Sequence, residues 1–150
     1  MKYSKGSIGR TFVLQFEEGD SIYNEIEKVA QNENIHSGIV WVIGGVKNGK
    51  VVVGPKNDKQ LPPDPLVESF SDAREIAAIG TLFENEQNLP ELHMHASIGK
   101  GTEPLVGCPR LGLDCWLITE AVILELLNVD AKRIKDDKKG LELLRILKPE

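Results

Sequence analysis

Cysteine is scarce: Cys108 and Cys115 are the only two in the chain. Two thiols cannot build a disulfide framework, so reduced thiols in a cytoplasmic protein are the expectation. Long apolar runs are missing too. The longest, Gly38–Val46 and Leu117–Leu127, are too short or too charged to span a bilayer. Met1 to Arg10 is polar and basic but leads into no apolar stretch of the kind a signal peptide needs. Positive charge is not in excess either. Lys and Arg total 18 against 23 Asp and Glu, a formal net charge of −5. Nucleic-acid binders gain most of their affinity from cations meeting phosphates, so this balance argues against direct DNA binding by the bare domain. Gly44-Gly45 lacks the spacing and the Lys-Ser/Thr pair of a phosphate loop, and no Gly-x-Ser-x-Gly elbow occurs. Internal repeats and low-complexity tracts are also missing.

What remains is an ordinary globular composition, 41% hydrophobic and 27% charged over 150 residues. That length suits one domain, 1–150, with one sizeable core. Arg10–Phe16 alternates and reads as a strand. Asp20 or Ser21 can cap a helix over Ser21–Glu33, where Ile22, Ile26, Val29 and Ala30 form one apolar stripe. Ile39–Ile43 is a β-branched run ended by Gly44-Gly45 and reads as a central strand. Val46–Val53 reads as a hairpin turning at Asn48-Gly49. Pro55–Pro65 holds four prolines and is a surface loop. Leu66–Phe70, Glu75–Phe83 and Glu91–Ile98 are further strands. A loop is expected from Gly99 through Pro104 to Pro109. A long strand follows, from Leu111 to about Leu126. The charged run Ala131–Lys139 reads as a solvated connection, and Leu141, Leu144 and Leu147 as a short element seated on the core.

The informative segment is Leu92-His93-Met94-His95-Ala96-Ser97. Side chains two apart on a strand face the same way, so His93 and His95 can aim two imidazoles at one point. Met94 goes to the opposite, apolar face. Two hydrogen-bonded histidines near a sheet surface would fit the same pattern. Cys108 lies beyond a Gly/Pro-containing loop, and a hairpin-like return would set it beside the histidines. Thiolate and imidazole together suit zinc, whereas a small buried cysteine is among the commonest fates of that residue. Three protein ligands leave a fourth position for water, substrate or a neighbouring subunit. An open position permits Lewis-acid chemistry without requiring it.

His36 sits between the helix and the next strand, which suits a hydrogen-bonded loop role. Glu120 and Glu125 lie in an apolar run, where a buried glutamate needs a partner or a shifted pKa. Glu120 in particular invites an acid/base role, and a salt-bridged structural role is the alternative. Trp41 and Trp116 occupy strand-like runs and read as core.

In this order the segments resemble the PPC domain, the plant and prokaryote conserved domain. The resemblance runs from about Gly9 to Leu127. It rests on Gly9–Leu14, Glu18-Gly19-Asp20 before the helix, Val42–Val46, Leu92–Ser97 and Leu117–Leu126. It implies an α+β fold on a largely antiparallel sheet, assembled as a homotrimer. Prokaryotic members of the family are often described as DNA-binding. Plant members carry AT-hooks beside the domain, but no Arg-Gly-Arg-Pro core occurs here, and Asp72–Ala77 stands where the plant motif would be. Many prokaryotic members complete a three-histidine metal site with a Gly-His-Leu segment. Gly107-Cys108-Pro109 stands in the matching stretch, so the resemblance implies a site of His93, His95 and Cys108, drawn toward zinc.

The expectation is a metal-binding PPC-domain protein, self-associating and without a membrane role. Two rivals remain. A DNA-binding protein would need a basic surface, which Lys132, Arg133, Lys135, Lys138 and Lys139 would have to supply. A zinc-dependent hydrolase or lyase would need a reachable cleft and an acid such as Glu120 near the metal.

Overall fold

A computed structural model describes residues 1–148. Its ten strands are β1 (Ser7–Phe16), β2 (Ser37–Lys47), β3 (Gly49–Pro55), β4 (Pro65–Phe70), β5 (Arg74–Glu84), β6 (Pro90–Lys100), β7 (Glu103–Gly107), β8 (Asp114–Leu127), β9 (Ala131–Asp136) and β10 (Leu141–Ile146). Among the described residues there is one helix, α1 (Ile22–Asn32). Six strands form the main sheet in the order β1-β8-β2-β5-β6-β7, and every pairing in it is antiparallel. β3–β4 and β9–β10 form separate two-stranded sheets. The expected architecture, largely antiparallel with one amphipathic helix, is therefore observed, and strand far outweighs helix.

The helix forms where its stripe predicts. Ile22, Tyr23, Ile26 and Ala30 are buried. They pack on Val40, Val42, Met94 and Ile123 from one face of the main sheet. Ser21 holds the cap position but makes no side-chain capping bond. Asp20 instead accepts a hydrogen bond from the Glu17 amide at 2.8 Å. Glu125 is buried, and its carboxylate takes Arg10 Nη2 at 2.8 Å and Nε at 2.9 Å. The same Nη2 donates to the Glu33 carbonyl at 2.8 Å, tying β1 and β8 to the end of α1.

Several expectations are corrected. Gly44-Gly45 does not end β2. It makes a bulge against β8, with Gly44 at φ +126 and Thr119 Oγ1 donating to the Gly45 carbonyl at 2.6 Å. Nor do β2 and β3 form a hairpin. Both edges of β2 are occupied by β5 and β8, so the chain bends at Asn48 and β3 pairs with β4 instead. The loop foreseen from Gly99 to Pro109 contains β7, whose Pro104 is tolerated because β7 is the edge of the sheet. Ala131–Lys139 is not a solvated connection: β9 runs through it and Arg133 is only 3% exposed. Its guanidinium donates to the Thr81 carbonyl at 3.0 Å and the Glu91 carbonyl at 3.3 Å, which anchors the C-terminal hairpin. Leu141 and Leu144 belong to β10, which pairs with β9. Trp41 is 40% exposed, on the sheet face away from α1.

Gly107 lets two sheets touch. A Cβ there would lie 2.3 Å from the Val52 carbonyl oxygen and 2.9 Å from Val51 Cγ1. Gly107→Ala should therefore destabilise the protein by about 1–3 kcal/mol, the usual cost of overpacking. Denaturant titration against the wild type measures this. A second expectation concerns acid. Arg10, chiefly through its side-chain hydrogen bond, holds the Glu125 carboxyl at about 2, well below its ordinary 4.5. A depressed carboxyl stabilises the fold above its unfolded pKa and loses that contribution as pH falls through the folded value. Stability should thus drop between about pH 4.5 and pH 2. Glu125→Gln should be less stable at neutral pH and flatter across that window, as denaturation midpoints at a series of pH values would show.

Candidate metal centre

Strand alternation on β6 buries Leu92, Met94, Ala96 and Ile98 and leaves His93 and His95 on the exposed face. Their rings lie with centroids 5.1 Å apart at an interplanar angle of 80°. The start of β6 is fixed from the helix, because the Leu92 amide donates to Glu27 Oε1 at 2.9 Å. Burial holds the Glu27 carboxyl above its ordinary value, against the opposing effect of that bond.

Cys108 arrives by the hairpin-like return expected of it. β7 runs back along β6 with Gly107 opposite Ala96, which brings the next residue level with His95. Backbone bonds then clamp it to β3: its amide donates to the Val52 carbonyl and the Val52 amide to its carbonyl, both at 2.9 Å. The thiol is buried, 4% exposed. One ligand atom from each of His93, His95 and Cys108 lies within 4.8 Å of the others. Two imidazoles and a thiol at such separations fit a single divalent cation of the borderline-soft kind.

The surroundings favour neutral imidazole. The His93 ring is held below its ordinary pKa, first by burial and then by the positive charges of Arg133, His95 and Arg110. A ring that resists protonation keeps a lone pair for a metal. Tyr23 reaches in from α1, donating to the Met94 carbonyl at 3.2 Å and standing 4.0 Å from Cys108 Sγ. Burial and the neighbouring Cys108 raise its phenol well above the ordinary range, so it stays protonated.

Two cavities meet at this centre. One, of about 450 Å³, is lined by all three candidate ligands together with Arg110, Val52 and prolines of the β3–β4 hairpin. The other, of about 540 Å³, is lined by His93, Cys108, Arg110, Glu91, Arg133 and Glu142 among others. Burial, then a hydrogen bond shared with Glu142, pushes the Glu91 carboxyl up, and Arg133 opposes this.

The other sequence candidates lie elsewhere. Glu120 is exposed on β8, paired with Gln15 and Ile43, so β2 and β5 separate its strand from β6. Its proposed acid/base role beside the metal is therefore withdrawn. Glu125 takes the salt-bridged structural role. His36 has the hydrogen-bonded role foreseen, its Nδ1 lying 2.5 Å from Glu84 Oε1. Sequence reasoning missed Tyr23, Arg110 and Arg133. Tyr23 could have been found from its place on the helix stripe beside Ile22 and Ile26. No local pattern marks the other two.

The fold is similar to that of a metal-containing protein from Archaeoglobus fulgidus, with 22% identity, 97% of this chain and 99% of that one covered, and a TM-score of 0.83. It is equally similar to a plant- and prokaryote-conserved (PPC) protein from Pyrococcus horikoshii, with 25% identity, 99% of both chains covered and a TM-score of 0.83. A protein from Ralstonia eutropha proposed to bind DNA is 23% identical, with 96% of this chain and 95% of that one covered and a TM-score of 0.69. No curated protein matches the chain. The model of the Plants and Prokaryotes Conserved (PCC) domain matches residues 3–127, most of the sequence. With its strand order, its paired histidines and that match, this chain belongs to the Plants and Prokaryotes Conserved domain family.

Proposed function

We propose that this is a single-domain, homotrimeric metal-binding protein of the cytoplasm that holds one zinc ion at His93, His95 and Cys108. The observation that carries the reading is the convergence of the three ligand atoms within 4.8 Å, two from β6 and one from the residue that follows its partner strand β7. A thiolate with two neutral imidazoles suits zinc and leaves one coordination position free. The description of the Archaeoglobus protein as metal-containing supports it.

The trimer is supported by the sheet face opposite α1. Register places Val13, Val122, Trp41, Ile79 and His95 in one row across five strands. Val13 is 79% exposed and Ile79 57%. Ile43 adds to the same apolar face. Contiguous exposed apolar surface of this kind marks an association site.

The DNA-binding reading is weaker. The basic run meant to supply a patch is broken up, with Arg133 buried, Lys132 beside Glu84 and Lys135 beside Asp137. A hydrolase or lyase reading has the cleft but has lost Glu120 as its acid. Among the described residues no helix is long and apolar enough to cross a membrane.

Protein purified without a His-tag and supplied with zinc should contain one zinc per chain by elemental analysis. His95→Ala should lose most of it, and Cys108→His should keep it. Binding should weaken in acid, since protons compete for all three ligands. Equal metal in wild type and His95→Ala, or none in either, would overturn the site. For assembly, analytical ultracentrifugation at micromolar concentration should find three chains for the wild type. Trp41→Glu should shift the mass toward one. A monomeric wild type would refute the trimer.

A further inference from the structure

The cavity of about 450 Å³ beside the metal ligands is unusual in its charge. Apart from the three candidate ligands, Arg110 is its only lining residue that can carry charge. The rest of the wall is aliphatic or backbone, with Val52, Val53, Pro55, Pro63, Pro65 and Val106 prominent. Arg110 is exposed, and among the described residues it has no hydrogen-bond or ion-pair partner. The other arginines all have one: Arg10 bonds Glu125, Arg74 bonds Asp72, Arg133 bonds the Thr81 carbonyl and Arg145 bonds Asp136. A fork of five donors left free at the mouth of an apolar pocket is a group available to a ligand.

We infer that this cavity binds a small monocarboxylate with an apolar body, its carboxylate held by Arg110 and the open position of the metal and its body against the Val-Pro wall. The inference rests on the metal reading of the preceding section. Its charge logic is simple. A divalent cation with one thiolate and two neutral imidazoles is left with a net charge of about +1, and Arg110 adds a second positive charge. The site is therefore cationic at one end and greasy at the other. An amine of the same shape would be repelled at the cationic end. A phosphate or sulfate without a body would leave the apolar wall unused. A volume of this size matches the usual range for small-ligand pockets, about 300–1,000 Å³. Guanidinium and carboxylate pair in bidentate fashion, which would also fix the orientation of the ligand. Glu91 and Glu142 line the flanking cavity and not this one, and Arg133 is buried with Nε 4.0 Å from the Glu91 carboxylate.

The test uses the zinc-loaded, full-length protein as it assembles, with hexanoate, hexylamine and acetate as probes, followed by calorimetry and by amide chemical shifts. Hexanoate should bind. Acetate should bind at least tenfold more weakly for want of a body, and hexylamine should not bind. Arg110→Gln should weaken hexanoate at least tenfold while the zinc content stays at one per chain, and Arg110→Lys should fall between. Arg110 is exposed, so these variants should fold, and their denaturation midpoints check it. Zinc-loaded wild type that ignores hexanoate, or Arg110→Gln that binds it as well as wild type does, would overturn the inference and leave the metal reading intact. A wild type that takes up no zinc would overturn both. Hexylamine binding as tightly as hexanoate would show that the apolar wall alone acts and that Arg110 anchors nothing.

Discussion

Antiparallel pairing of β6 with β7 is the contact on which the rest of the candidate metal centre depends. A strand presents alternate residues on one face, so β6 alone supplies two imidazoles and nothing more. The third ligand lies 13 residues beyond His95 in sequence, and only a tight return brings it level. Gly101, at φ +59, turns the chain within that return. Gly107 then allows β3 to press against the end of β7, and the paired bonds between Val52 and Cys108 hold the thiol in place. The ligands are therefore positioned mainly by backbone ladders, which are stiffer than side-chain networks. Glu27 and Tyr23 reach across from α1 to steady the same region.

How much of this could be read from the sequence follows from which signals are local. The His-x-His pair and the burial of Met94 follow from a period of two. The helix follows from its stripe. Cys108 is placed by assuming a return, and the return exists, although its second arm reads as loop because Gly99, Gly101 and Pro104 look like breakers. Their meaning depends on an edge position that only the sheet order reveals. Ala131–Lys139 misled for a related reason. A run of lysine and aspartate looks solvated, yet Ala131 and Arg133 of β9 face inward, and the buried Arg133 donates to backbone carbonyls. The Asn48-Gly49 turn signal marked a real bend, but β2 had no free edge to receive β3. Trp41 reads as core from its apolar neighbours, but the alternation of β2 sets it on the other face.

That other face exposes a constraint of supply. The main sheet has two apolar sides, and the chain provides one helix to cover one of them. The hairpins β3–β4 and β9–β10 lie against its β5–β7 end near the candidate ligands, yet Ile79 and Val106 stay exposed there. The β1-β8-β2 end is left with Val13, Ile43 and Leu117 in the open. A protein with so little helix has no other element among its described residues to lay over them. The proposed association of like chains would cover them.

The C-terminal hairpin sets a limit on how far kinship informs chemistry. The family match stops at residue 127, and by that point all three candidate ligands have been laid down. Leu141, which borders both cavities, comes later, as does the arginine that fastens β9 to β5. Donor set and enclosure are thus written in different stretches of the chain. Substitutions in the hairpin would reshape access to the candidate site without altering its donor set, so chains alike in their paired histidines can diverge in ligand through their tails alone.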